Sequence, residues 1–320
     1  MSNLQYYTWV TRLTPDDQQA LQTYELYLLR KNTPRTRRIK LENIRRFLQR
    51  LPDPQPSELA AVTSTHIEAF IQQAQRHGLA PTSINCYLTA VYDCFRFLQE
   101  EGYLLKNPVK PRSHYLPIPL QLPRPMEQQE VRRLLAVDLT ARERAIFLVA
   151  LHCGLRVSEV THLKLGDLDW ERHTLRINQG KAGADRIVYL TAEVEASLQA
   201  WLSERVSSND YVFCSRWSGQ RLDQPMSVRQ LERLLKRAFH RAGIDPAKYS
   251  FHTLRHTFAT QLLNAGISLR SLQELLGHKS LQEVLIYAQL YESTKRQEFY
   301  RAMATIETQP QPQWVTVGSE

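Results

Sequence analysis

Apolar residues in the first hundred positions recur at intervals of three and four, the spacing that gathers side chains on one face of a helix. Leu21, Tyr24, Leu28 and Leu29 follow Thr14-Pro15-Asp16-Asp17, a capping hydroxyl with proline in the first turn. Ile39, Ile44, Phe47 and Leu48 predict a second helix over about 35–50. Ile67, Phe70 and Ile71 after Thr63-Ser64 predict a third. A fourth starts at Pro81-Thr82-Ser83, carries Ile84, Leu88, Val91, Phe95 and Leu98 inward, and stops at Gly102. Four short helices predict a compact bundle over 14–106, behind a short extension at 1–13.

The pattern breaks between 107 and 125, where Pro108, Pro111, Pro117, Pro119, Pro123 and Pro125 predict an extended linker that holds no helix. A second domain is expected over 126–306. Helical spacing covers 128–135, 142–152 and 158–165. Two β-like runs follow, Leu175-Arg176-Ile177 and Ile187-Val188-Tyr189-Leu190, with the glycine-containing segment 180–186 between them suited to a hairpin tip. Helices resume over 191–203, 227–242, 252–265, 271–276, 281–290 and 294–306. The Gln-Pro repeats after Thr308 predict a disordered tail over 307–320. The fold class is therefore mainly α with a small β-sheet, in two domains.

Composition narrows the partners. The net charge of +9, from 41 Lys and Arg against 32 Asp and Glu, favours a polyanion, nucleic acid before a membrane surface. The four cysteines have no metal-site or CxxC spacing and read as reduced thiols of a cytoplasmic protein. Residues 1–13 lack a signal-peptide pattern, and no apolar run reaches the roughly 18 residues of a membrane span.

An ordered set of cationic and imidazole side chains ending in one tyrosine carries the chemistry. Arg156 stands in Cys153-Gly154-Leu155-Arg156-Val157-Ser158-Glu159, and Lys181 in Gly180-Lys181-Ala182-Gly183. His252 and Arg255 share the run His252-Thr253-Leu254-Arg255-His256, His278 follows Gly277, and Tyr287 comes nine residues later. Arginines can grip non-bridging phosphate oxygens in a two-pronged way, and a tyrosine oxygen can attack phosphorus. His252 and His256 are four apart, as in some zinc sites, but the run lacks the glutamate of HExxH and a third ligand. No metal and no cofactor are expected, and there is no phosphate-cradling GxxxxGK[ST] loop. Each residue alone has an ordinary reading, a solvated charge or a core tyrosine; chance explains the ordered six poorly.

With these residues the chain resembles the tyrosine recombinases, the family of phage integrases, Xer-type enzymes and transposon or integron recombinases. The resemblance rests on Gly154-Leu155-Arg156-Val157-Ser158-Glu159, Lys181, His252-Thr253-Leu254-Arg255, Gly277-His278 and Tyr287, and runs over roughly 15–305. It implies a SAM-like core-binding domain and an α+β catalytic domain, closing as a C-shaped clamp on double-stranded DNA. It also implies strand cleavage through a 3′-phosphotyrosyl link, a Holliday junction and a homotetramer on two sites, with accessory proteins left open. In such a site Arg156 and Arg255 clamp the phosphate, His252 serves as base, Lys181 as acid, His278 as a phosphate donor and Tyr287 as nucleophile, with Tyr291 its nearest rival. Glu159 is expected to steady the site. Contacts to DNA are expected from Arg35, Arg37, Arg38, Lys40, Arg45 and Arg46, from Thr82, Ser83 and Asn85, and from Arg229, Arg233 and Lys236. A mobile element is the expected setting. The competing readings are a type IB topoisomerase and a non-catalytic DNA-binding regulator on the same scaffold.

Overall fold

The computed structural model describes residues 13–51, 56–119, 123–178, 185–217, 220–278, 280–288 and 292–308, with 216–217, 220–223, 288, 292–298 and 308 described by backbone alone. The chain divides into two compact units, 1–120 and 121–320.

The first unit is helical. It contains α1 (Pro15–Lys31), α2 (Pro34–Gln49), α3 (Ser64–Arg76), α4 (Pro81–Glu100) and the single turn α5 (Pro111–His114). Local chemistry sets the starts: Thr14 and Thr33 accept the amides of Asp17 and Thr36, and proline occupies the first turn of α1, α2 and α4. The most buried positions of α4 include Ile84, Leu88, Val91, Phe95 and Leu98, so it forms the spine on which Tyr24, Leu28, Phe47, Ile67 and Phe70 pack. A polar knot ties three helices together. Asp93 on α4 accepts from Tyr24 Oη at 3.0 Å, from Lys40 Nζ at 2.6 Å and from Arg96 Nη2 at 3.0 Å.

The proline-rich segment departs from the expected extended linker. Pro111 stands at the first turn of α5, where its missing N–H costs nothing, so a helical turn forms after all. Residues 107–116 are fastened to the bundle: Val109 and His114 are buried, Asn107 Nδ2 donates to the Tyr92 carbonyl, and His114 Nε2 lies 3.0 Å from Ser64 Oγ. Asn85 is the main fastener. Its amide donates to Leu116 O and accepts from Leu116 N, each at 2.9 Å, and the side chain is buried. Asn85, expected as a DNA contact, acts in the fold as a backbone clamp, with both ends of its amide used inside the unit.

The second unit begins with α6 (Gln128–Ala136), α7 (Ala141–His152) and α8 (Val157–His162). A three-stranded antiparallel sheet follows, β1 (Leu168–Asp169), β2 (Thr174–Ile177) and β3 (Arg186–Tyr189), with Ile177 paired to Arg186. After α9 (Ala192–Glu204) comes a hairpin of β4 (Cys214–Trp217) and β5 (Gln220–Pro225). Then come α10 (Val228–Arg241), α11 (Phe251–Asn264), α12 (Leu269–Leu276), α13 (Gln282–Ala288) and α14 (Glu292–Thr308). The sequence pattern missed β1, which is two residues long, and the β4–β5 hairpin, whose polar residues do not alternate. Helix α7 is buried all round from 145 to 151, and α9 and α11 cover it. Cys94, Cys153 and Cys214 are buried and Cys86 is exposed, all as free thiols. No helix among the described residues is long and apolar enough to cross a membrane.

Gly154 turns the chain from α7 to α8 with φ +63°, a left-handed conformation. A Cβ there would lie 2.3 Å from Phe258 Cδ1 on α11. The turn and the close helix packing both require glycine. Gly154→Ala should destabilise the second unit by ~2 kcal/mol or more, combining backbone strain with overpacking. Chemical denaturation checks this; an unchanged midpoint would show that α11 yields freely.

Candidate active site

The site is built around the turn that Gly154 makes. Arg156 caps α8, and Glu159, three residues on, reaches back to accept the Arg156 backbone N–H at 2.7 Å and its Nη1 at 2.8 Å. Arg186, the first residue of β3, donates two parallel hydrogen bonds to the same carboxylate, at 2.9 and 2.7 Å. Its Nε donates to the Leu275 carbonyl on α12 at 2.7 Å. Burial pushes the Glu159 carboxyl up, but the hydrogen bonds and charge of Arg186, then those of Arg156, outweigh it and hold the pKa at about 2. The expectation that Glu159 steadies the site thus has a geometric basis. Arg186 was not among the residues expected here, since it closed the segment read as a hairpin tip, where an arginine gives no sequence signal for a buried partner.

Helix α11 supplies the next layer. Arg255 is 1% exposed, and its Nη1 and Nη2 donate to the carbonyls of Gly154 at 2.7 Å and Leu276 at 2.6 Å. These bonds lock the α7–α8 turn to the end of α12. Burial, then the neighbouring Arg156, lower its pKa to about 9, which still leaves it charged at neutral pH. One turn before Arg255, His252 stands exposed at the rim. The protein packed about its ring, then Arg255 and Arg156, lower its pKa. The His256 ring meets that of His252 edge to face, with centroids 4.3 Å apart.

Helices α12 and α13 close the site. Gly277 ends α12 in the left-handed conformation, φ +63°, which turns the chain so that His278 faces the arginines. Burial, then Arg255, Arg156 and Arg186, hold the His278 pKa at about 4, so its ring is neutral near pH 7. Its buried Nδ1 has no hydrogen-bond partner among the described residues, with Glu283 Oε2 3.4 Å away. Tyr287 on α13 is 3% exposed and packs with Phe258, Leu272, Leu276 and Val284. Burial raises its pKa, while Arg255 and Arg156 pull it down. Its hydroxyl lies 2.8 Å from His256 Nδ1.

Five of the six residues singled out in the sequence thus stand in one unit around one cluster: Arg156, His252, Arg255, His278 and Tyr287. Lys181 and the rival Tyr291 lie outside the described residues. The ring in contact with the Tyr287 hydroxyl is His256, not the expected base His252. The i, i+4 histidine spacing was visible in the sequence, where it was weighed as a metal pair and set aside, and only the fold puts a tyrosine against it. Among the described residues no three His, Cys, Asp or Glu side chains gather closely enough to hold a metal ion.

The surface residues expected on DNA fall into groups. Arg35, Arg38, Thr82 and Ser83 are exposed and Arg37 partly so. Lys40 is held by Asp93, and Arg45 and Arg46 both pair with Glu42, which blunts their charge. Arg229, Arg233 and Lys236 are exposed along one face of α10.

The chain matches the phage integrase family over residues 124–294 and the phage integrase N-terminal SAM-like domain over 21–102. It is 33% identical over 277 residues to tyrosine recombinase XerA of Thermococcus onnurineus (strain NA1), covering 85% of this chain and 91% of that protein. Among solved structures, the Tn1549 transposon integrase in complex with a circular intermediate DNA is similar in fold, with a TM-score of 0.68 and 19% identity over 84% of this chain and 94% of the other. A lambda integrase tetramer bound to a Holliday junction gives a TM-score of 0.66 and 21% identity, over 83% of this chain and 76% of the other.

Removing the Glu159 carboxylate leaves Arg186 and Arg255 buried without their countercharge. Glu159→Ala should cost ~3 kcal/mol or more, as breaking a buried ion pair does. The pH dependence has a definite sign. A carboxyl held at about 2 in the fold, against an ordinary 4.5, stabilises the native state above pH 4.5 and loses that contribution as pH falls towards 2. Thermal melts between pH 6 and pH 2 should therefore fall more steeply for the wild type than for Glu159→Ala; parallel curves would refute the assignment.

Proposed function

The chain belongs to the phage integrase family of tyrosine recombinases, and from that premise we propose that it cuts and rejoins double-stranded DNA at specific sites through a Tyr287–DNA link. The observation that carries the proposal is the Tyr287 hydroxyl, held 2.8 Å from an imidazole in the same unit as Arg156 and Arg255. A scissile phosphate gains negative charge as the tyrosine oxygen attacks. Fixed guanidinium groups stabilise that charge without reorganising at the moment of reaction, an effect often worth several kcal/mol. Arg156 and Arg255 clamp the non-bridging oxygens, and His252 and His278 offer further polar contacts. Lys181, on the segment joining β2 to β3, is assigned the proton for the departing 5′ oxygen.

The phosphotyrosyl ester conserves the energy of the broken bond, so a second 5′-hydroxyl can reverse the step on a new partner strand. Repeated on both strands, this yields a Holliday junction, and the lambda integrase likeness supports a tetramer as the working assembly. The first unit would contact the duplex through Arg35, Arg37 and Arg38, and the second through Arg229, Arg233 and Lys236. Strand exchange of this kind is common to integration, excision and resolution. The XerA likeness does not favour the mobile-element setting over the others.

Duplexes with a randomised core and a nick near it provide the test. The wild type should form a denaturant-resistant protein–DNA adduct with a selected subset, with EDTA present and no ATP. Tyr287→Phe should abolish the adduct and Tyr291→Phe should retain it, read on denaturing gels and by mass spectrometry of the adduct peptide. Adducts that need Tyr291, or need magnesium, would overturn the proposal.

A further inference from the structure

A buried phenol among cations is a poor nucleophile until its proton has somewhere to go. Burial raises the Tyr287 pKa above its ordinary value, and the arginines only partly offset this. The exposed rim position of His252 leaves the hydroxyl to another ring. His256 Nδ1 sits 2.8 Å from Tyr287 Oη, a normal hydrogen-bond distance, with the two ring centroids 5.5 Å apart. Resting on the reading that Tyr287 is the nucleophile, we infer that His256 is a catalytic residue that takes the Tyr287 proton during cleavage and returns it during religation.

The geometry holds an imidazole nitrogen in place at the hydroxyl. His256 is one residue beyond Arg255, whose two carbonyl bonds fix this turn of α11 to the Gly154 turn and to α12. The edge-to-face contact with His252 restrains the ring from its other side. Its setting also keeps it uncharged: burial, then His252 and Arg255, hold its pKa at about 4, so near neutral pH one nitrogen carries a free lone pair. Tyr287 itself is anchored by the apolar contacts of α13, which aim the hydroxyl at that nitrogen.

The step balances. The Tyr287 O–H bond breaks and its proton passes to His256 Nδ1. The phenolic oxygen pair forms the bond to phosphorus, and the P–O5′ bond breaks with its electron pair leaving on O5′. That oxygen takes a proton from the general acid, here the Lys181 ammonium. In religation an incoming 5′-hydroxyl loses its proton to the neutral Lys181 amine and attacks phosphorus. The departing phenolic oxygen then regains its proton from the His256 imidazolium. One acceptor thereby serves both directions, which a reversible exchange requires.

The nicked duplex selected by the wild type supplies the probe. His256→Ala removes both the contact and the basicity, while His256→Asn keeps a hydrogen-bond acceptor near the Nδ1 position but cannot take a proton. Both variants should bind the duplex as the wild type does in gel-shift assays and slow single-turnover adduct formation by about 100-fold or more, the usual scale of general base catalysis. A rate within a few-fold of wild type for His256→Ala, or recovery in His256→Asn, would overturn the inference, the latter by leaving only an aligning role. A measurement on the unaltered protein keeps the test independent of variant folding. The nitrogen shifts of the His256 ring in NMR spectra should show Nδ1 unprotonated, and a protonated Nδ1 would make the ring a donor and refute the assignment. Failure of the family reading looks different: the wild type then forms no adduct at all, or Tyr287→Phe still forms one.

Discussion

Three guanidinium groups, from Arg156, Arg186 and Arg255, converge on the buried carboxylate of Glu159, at 2.8, 2.7 and 3.9 Å. Without that carboxylate the cluster would be self-repelling. Like charges about 4 Å apart cost ~4 kcal/mol per pair even at an effective dielectric of 20. Glu159 does more than neutralise. Because it binds the Arg156 backbone, the Arg186 fork and the edge of Arg255 at once, it fixes the start of α8, the start of β3 and the centre of α11 relative to one another. Arg186 then carries the connection to α12 through the Leu275 carbonyl, and Arg255 does so through Leu276. The positive charge of the cluster is thus held in place by the same contacts that hold the fold.

The positive cluster also governs the histidines. His252, His256 and His278 sit where a further positive charge is unwelcome, and all three have lowered pKa values. They stay neutral and keep lone pairs and N–H groups for hydrogen bonding. Tyr287 feels the opposite pull, since the same arginines favour its anion while burial opposes it. Apolar packing and electrostatics therefore divide the work: Phe258, Leu272, Leu276 and Val284 place the phenol, and burial and the arginines set its ionisation.

Much of this was legible in the chain. Helical periodicity located α1 to α4 and most helices of the second unit, because most of them bury one face. The ordered residues Arg156, His252, Arg255, His278 and Tyr287 pointed to phosphoryl chemistry, because arginines beside a tyrosine suit a phosphodiester and the set resembles that of the tyrosine recombinases. What the pattern did not show has identifiable causes. Prolines in 107–125 read as breakers, but Pro111 occupies a first turn, where proline is tolerated. Asn85 read as a surface polar group at a helix start, yet the returning segment at Leu116 pairs with both ends of its amide. The β4–β5 hairpin lacks the alternation that would have marked it.

The order of side chains along the chain determined the class of chemistry, the helical elements and the residues available for it, since residue type and local periodicity are properties of the sequence alone. Which imidazole meets the phenol, which arginine holds the carboxylate and which amide clamps the proline segment were decided only by the tertiary structure. Those pairings join residues 31 positions apart or, for Glu159 and Arg186, 27. Distances of a few ångströms across such separations are fixed by how helices pack, and no local pattern encodes them.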